Sequence, residues 1–137
     1  MYVMVYLKKK ERCHMTILEI SKGVSKSDKR NRYGQFLDDF YRADHITKQA
    51  MINDEPDSSD DPNNIFVCEL ACAVTRLAGL YGLECPAWTQ KKQYYLTEPH
   101  FAFDTKNAEY QDFLMQTTPK EYAERNLYMG NNILKRC

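Results

Sequence analysis

With 137 residues, 43% of them hydrophobic, the chain is the size of one domain and can bury roughly two-thirds of the surface its unfolded form exposes. Nineteen Lys and Arg balance nineteen Asp and Glu, so bulk electrostatics points neither to nucleic acid nor to a membrane surface. A mean hydropathy of -0.66 reflects ten Tyr residues and many charges rather than a missing core.

Residues 1–14 differ in character from the rest of the chain. Tyr2-Val3-Met4-Val5-Tyr6 has strand chemistry, and Lys8-Lys9-Lys10 stops the apolar run far short of the roughly 20 residues a spanning helix needs. A signal peptide puts its charges before its apolar run, the reverse of this order. We therefore read residues 1–14 as an N-terminal extension and residues 15–137 as one helical domain. Five cysteines, at positions 13, 68, 72, 85 and 137, make an odd number without a CxxC pair. That usage suits a reducing compartment and a cytoplasmic location.

Thr16 and Glu19 form a capping box, S/T-x-x-E, at the first helix start. A strong amphipathic helix is expected over residues 28–43 with Ser27 as its cap, because Tyr33, Phe36, Leu37, Phe40 and Tyr41 recur at helical spacing. A shorter helix over 45–53 comes after it, capped by Asp44, with Ile46, Ala50 and Met51 inward. Residues 54–61 are acidic and contain a Pro but no apolar residue, which predicts a solvated loop inside the domain.

Asp61-Pro62 has the grammar of a helix start, with Pro at the first helical position, where its missing N–H costs nothing. The helix so begun is expected to reach Tyr81 and to form the centre of the molecule, since it is apolar around more than half its circumference. Gly82 supplies a left-handed residue at its end, and Leu83 can fold back in a Schellman cap. From Leu80 to Phe103 runs a dense aromatic segment holding the single Trp, expected to return over that helix. A helix over 106–116 with Tyr110, Phe113 and Leu114 buried comes next. Thr118-Pro119-Lys120-Glu121 then offers a Thr cap for a short helix over 119–126, and a last turn is expected in 131–137. The fold class is all-α: a compact single-domain helical bundle of five to six helices around a central buried helix.

Several motifs form a recognisable set: Phe36-Leu37-Asp38-Asp39-Phe40-Tyr41-Arg42-Ala43, then Ala50-Met51-Ile52, Pro86-Ala87-Trp88, Glu98-Pro99-His100-Phe101, and the Thr-Pro-x-x-Tyr-x-x-Arg-Asn run from Thr118 to Asn126. Over residues 15–130 the chain resembles a group of small bacterial helical proteins without an assigned activity. The group is associated with toxin–antitoxin and mobile-element contexts. The resemblance implies a regulatory, antitoxin-like protein with a protein partner, and carries over no catalytic residue.

The motif residues have a structural explanation to be tried first. Trp88 is a large apolar lid, Pro99 and Pro119 set chain direction, and Arg125 and Asn126 can bond carbonyls left open where the preceding helix ends. The functional reading places a partner-binding groove between the Trp segment and the last helices, with Trp88, Tyr94, Tyr95 and Arg125 as anchors, types enriched at binding hot spots. In that reading the acidic loop 54–61 steers a basic partner. The alternative is DNA binding: residues 16–27 read as the first helix and turn of a helix-turn-helix, with Lys29, Arg30 and Arg32 early on the second helix. Against it, that second helix has no apolar residue before Tyr33 to dock on the first.

A small enzyme of unknown reaction is the second alternative, but nothing selects a reaction, a cofactor or a metal. His14, His45 and His100 are scattered, and neighbours such as Asp38-Asp39 or Asp60-Asp61 point about 100° apart on a helix, which suits no carboxylate dyad. Cys68 and Cys72 lie one helical turn apart and, with Cys85 and His14, sketch a zinc site on paper, but no second ligand pair has zinc-like spacing. Five Gly residues include none at phosphate-loop spacing. Small buried hydrophobes is the reading for the cysteines.

Overall fold

The computed structural model describes residues 14–136. The expected strand character of residues 2–6, Cys13 and Cys137 lie outside them, as does all of the N-terminal extension but His14. The described residues are 59% helical, with six α-helices, three short 3-10 turns and one two-stranded sheet. None of these helices is long and apolar enough to cross a membrane. The chain falls into two compact units, residues 14–56 with Arg136 and residues 57–135, dividing in the acidic loop that the sequence pattern places inside a single domain.

In the first unit, helix α1 (Ile17–Ser21) starts at Thr16, whose Oγ1 accepts the Glu19 N–H at 3.2 Å. Gly23 comes next, buried; a Cβ there would stand 2.8 Å from Lys29 Cγ and 3.0 Å from Lys29 N, so only glycine lets the next helix approach. Helix α2 (Lys26–Arg42) begins two residues before the expected start. Its cap is Ser25, not Ser27: Ser25 Oγ accepts the Asp28 N–H while the Asp28 carboxylate reaches back to the Val24 N–H, a reciprocal pair that Ser27 cannot form. Tyr33, Phe36, Leu37 and Phe40 are buried as the spacing predicts, and Tyr41 is half-buried. Asp39 is buried with them, accepting from the Met15 N–H at 2.9 Å and the Gln35 amide at 2.8 Å. Arg136 bonds Asp38 through Nε and Nη2.

Helix α3 (His45–Asn53) is capped by Asp44, which accepts the Thr47 N–H at 2.8 Å. Its inward residues are Lys48, Met51 and Ile52; Ile46 is 81% exposed and Ala50 is exposed too, against expectation. Lys48 takes an inward position because its stem covers apolar surface while Nζ bonds the Ala43 carbonyl and lies 5.3 Å from the Phe40 ring centre.

In the second unit, helix α4 (Ile65–Tyr81) starts three residues later than the Asp-Pro signal predicts. Residues 61–64 form a turn instead, closed by the Asn64 N–H on the Asp61 carbonyl, with Asn64 in the left-handed region at φ 55°. Asp61 still serves the helix end, its carboxylate accepting the Val67 N–H at 3.0 Å. Every residue from 67 to 74 is buried, while Tyr81, the last residue of the helix, is exposed. Gly82 (φ 66°) and the Leu83 N–H on the Ala78 carbonyl close the helix as expected.

Two 3-10 turns, Ala87–Gln90 and Lys92–Tyr94, then pack against α4. Strand β1 (His100–Phe101) pairs in parallel with β2 (Leu127–Tyr128), a small sheet that no alternation in the sequence announces. Helix α5 (Ala108–Thr117) is capped by Asn107 and buries Leu114 alone; Tyr110 and Phe113, expected inside, are exposed. Thr118 does not cap the next helix, α6 (Lys120–Ala123). It bonds backward to the Leu114 carbonyl at 2.6 Å and accepts the Gly130 N–H at 2.9 Å, so it ties the end of α5 to the segment after β2. Helix α6 ends before the expected residue 126 because Asn126 turns left-handed at φ 63°. Residues 131–136 hold a turn and no helix. Cys68, Cys72, Tyr122 and Leu127 form one core cluster, with Ile65, Leu96, Met129 and Ile133 against it.

Candidate functional site

Helix α6 is a single turn, and after its C-cap Glu124 comes Arg125, 1% exposed and among the largest fully buried side chains. The guanidinium closes the open carbonyl end of α6: Nη1 donates to the Glu121 carbonyl at 3.0 Å, and Nη2 donates to the Thr89 carbonyl at 2.9 Å and to Thr75 Oγ1 at 3.3 Å. Its flat face lies under the Tyr95 ring, 4.5 Å from the ring centre. Neighbouring groups are ordered with it. Thr75 returns its hydroxyl proton to the Ala71 carbonyl, Thr89 Oγ1 bonds the Pro86 carbonyl, and the Gln90 amide links the Thr89 hydroxyl to the Tyr95 hydroxyl.

Asn126 continues the same work on the next stretch of chain. Its amide donates to the Leu96 carbonyl at 2.8 Å, and its own carbonyl accepts the His100 N–H at 2.8 Å. The Arg125 carbonyl accepts the Leu96 N–H at 3.1 Å. Arg125 and Asn126 together therefore brace residues 95–100 from behind, through the face of one ring and these hydrogen bonds to backbone. The front of that stretch is one wall of a cleft of about 660 Å³. Tyr95, Leu96, Pro99 and His100 line it from this stretch together with Lys92 and Gln93, and Asn63, Asn64 and Ile65 line it from the start of α4. Volumes of this order are typical of ligand clefts. The lining mixes apolar surface with amides and charges of both signs.

Of the four anchors expected from sequence, the structure joins Tyr95 and Arg125 by stacking and Trp88 and Tyr94 by an edge-to-face contact at 5.4 Å. Trp88, Tyr94 and Arg125 are buried, so their area is used inside the unit and is not offered at its surface. Tyr95 alone is half-exposed and faces the cleft. Thr75, Thr89, Gln90 and Asn126 belong to this network without being among the expected anchors. Thr75 carries a signal, a hydroxyl on an otherwise apolar helix stripe.

The basic candidates behave differently from one another. Arg32 is engaged inside its own unit, donating to the Glu19 carbonyl at 2.8 Å and lying 3.3 Å from the Asp28 carboxylate. This polar clasp docks α2 on the five-residue α1 where no apolar residue is present, and removes Arg32 as a freely presented phosphate contact. Arg30 is exposed, with its guanidinium 6.0 Å from the Tyr33 ring centre, and Lys29 packs near Gly23.

Among the described residues no group of three or more His, Cys, Asp and Glu side chains is placed to hold a metal ion. Cys68 and Cys72 do face the same way, and burial, with the adjacent Cys68 thiol, pushes the Cys72 thiol far above its ordinary range. Cys85 is exposed, its Sγ 3.3 Å from Thr89 Oγ1. His100 lies 3.7 Å from Asp104 at the rim of the cleft, with no nucleophile in this pairing. No family profile, no curated protein and no solved structure matches the chain.

Proposed function

We propose that the protein is a protein-binding module whose cleft along residues 95–100 receives a segment of a partner protein. One observation carries this reading: the buried Arg125 and the half-buried Asn126 hold the back of the cleft wall, so that Tyr95 and the 96–100 backbone are presented at a fixed position. A pre-ordered wall lowers the entropy cost of binding. Its mixture of an aromatic ring, a Pro, aliphatic groups and amides suits a peptide, which offers apolar side chains and backbone donors together. Trp88, Tyr94 and Arg125 act in this reading as supports, and Tyr95 as the contacting residue. A regulatory, antitoxin-like role in a toxin–antitoxin or phage-related pair, by occlusion of the partner, is the biological setting that the motif resemblance adds.

The test is site-specific photocrosslinking in a lysate of the source cells. A benzophenone amino acid replaces Gln93 or Glu98 on the cleft, or Lys135 as a control. A single protein captured from the two cleft positions and lost on Tyr95→Ala supports the reading. Equal capture from position 135, or capture indifferent to Tyr95→Ala, defeats it. DNA binding through Lys29, Arg30 and Arg32 ranks second, since Arg32 already serves Glu19 and Asp28.

A further inference from the structure

We infer that the turn at Phe103 and helix α5 form a second docking face, separate from the cleft reading, whose occupant is a basic segment of a partner protein carrying Lys or Arg next to apolar side chains. Helix α5 has ten residues, a length that is marginal without packing, and only Leu114 is buried. Beside its charged residues it exposes Tyr110 at 37% and Phe113 at 55%, with their rings stacked at 6.2 Å and 12°. Phe103 is 90% exposed, and it sits in the left-handed region at φ 59°, with Asp104 after it at φ 51°. Two successive non-glycine residues in that region are strained, and here the strained turn carries a phenyl ring into solvent. The turn is held to the helix by the Gln111 amide, which donates to the Thr105 carbonyl, and by the Asn107 N–H, which donates to Thr105 Oγ1.

Charge selects the occupant. Asp104, Glu109 and Asp112 are exposed on this stretch, against Lys106 as the one exposed cation from residue 103 to 113. Glu109 precedes Phe113 by one helical turn and so shares its side of the helix. Exposed aromatic faces attract ammonium and guanidinium groups, and carboxylates beside them add to the attraction. Both features favour a cation that brings apolar surface with it. The same carboxylates repel the phosphates of nucleic acid and of anionic lipid.

The experiment titrates the full-length ¹⁵N-labelled protein with a synthetic 14-residue amphipathic peptide of Leu, Lys and Arg, and in parallel with the same peptide carrying Glu at every basic position. Shift changes concentrated at residues 103–116 with the basic peptide alone are the expected result. Binding should weaken at least tenfold on the combined change Glu109→Lys and Asp112→Lys, and comparably on Phe113→Ser, with circular dichroism confirming retained helix. The inference fails if the basic peptide shifts residues 54–61 or the acidic surface at large, or if binding survives the charge reversal. Equal binding of the acidic peptide to residues 103–116 would leave a docking face and overturn its basic occupant. None of these outcomes bears on crosslinking from Gln93 and Glu98, so the cleft reading stands or falls by itself.

Discussion

Helices α4 and α5 lie in the same unit and are both rich in apolar residues, yet α4 buries every residue from 67 to 74 while α5 buries Leu114 alone. The difference arises from side-chain size and neighbours. Cys68, Ala71, Cys72, Ala73 and Ala78 are small, so the two 3-10 turns and α6 come close to α4 on several sides. Helix α5 has large rings on one stripe and only the short strand β2 packed substantially against it. Small residues around a whole helix foretell burial on all sides. An aromatic stripe foretells an apolar face without saying what covers it.

The largest expected effect that would break this comparison is chemical. Cys68 and Cys72 on α4 should alkylate only through unfolding, on the order of a thousandfold or more slower than Cys85, since protection of a core group follows the stability of its unit. Iodoacetamide labelling and subsequent peptide mass mapping measure this. Labelling of Cys72 at the rate of Cys85 in native protein would mean that α4 is not closed. The raised Cys72 pKa acts in the same direction, because less thiolate is present at neutral pH.

Stability should show the same contrast. Trp88→Ala should cost about 3–5 kcal/mol and Leu77→Ala about 2–5 kcal/mol in denaturant melts, as buried large-to-small changes do. Phe113→Ser should stay within about 0.5 kcal/mol, as exposed changes do. Leu114→Ala sharpens the point: it removes the one buried anchor of α5, so amide exchange should quicken along 108–117 while α4 keeps its protection. Comparable melts for Phe113→Ser and Leu77→Ala would dissolve the comparison.

How legible these features are depends on the range of the physics behind them. Thr16, Asp44 and Gly82 are readable because a cap is local: a side chain meets a backbone group three or four residues away. The caps expected at Ser27 and Thr118 have local competitors, Ser25 with its Asp28 partner and the Leu114 carbonyl. The start of α4 moves because Asn64 tolerates the left-handed region, which no spacing reveals. Inward positions fail at Ile46, Ala50, Tyr110 and Phe113 because periodicity identifies a stripe and leaves its cover unspecified. In the candidate site, Arg125 and Asn126 are readable as partners for open carbonyls. That these carbonyls include those of Thr89 and Leu96, about thirty or more residues back along the chain, belongs to tertiary structure.

Arg125→Met tests that long-range role at a smaller scale. Met keeps most of the volume but leaves the Glu121 and Thr89 carbonyls without their donor, for an expected loss of about 1–3 kcal/mol. The informative readout is local: with the guanidinium gone from beneath its ring, Tyr95 should gain mobility, seen as broadened ring resonances and faster exchange at Leu96. A destabilised protein with an unchanged Tyr95 would make Arg125 a general core residue and detach it from the cleft.

The smallest effect concerns acid, and it lies in the other unit, where exposed caps replace buried packing. The Thr47 backbone N–H, bonded at 2.8 Å, holds the Asp44 carboxyl below its ordinary 3.8, with the Thr47 side chain adding to the effect. For a carboxyl lowered on folding, the stabilisation is fully present above the unfolded pKa and disappears as pH falls through the folded one. Asp44→Ala should therefore be less stable than the natural protein at pH 7, and the gap should close as pH drops below the carboxylate range. Asp38, lowered chiefly by its hydrogen bond to Arg136, adds to the same acid limb with the same sign, so Asp38→Asn should flatten it further. Denaturant melts at neutral and acid pH decide the matter. A gap that stayed constant with acid would place the Asp44 contribution in the neutral geometry of the cap and not in its charge.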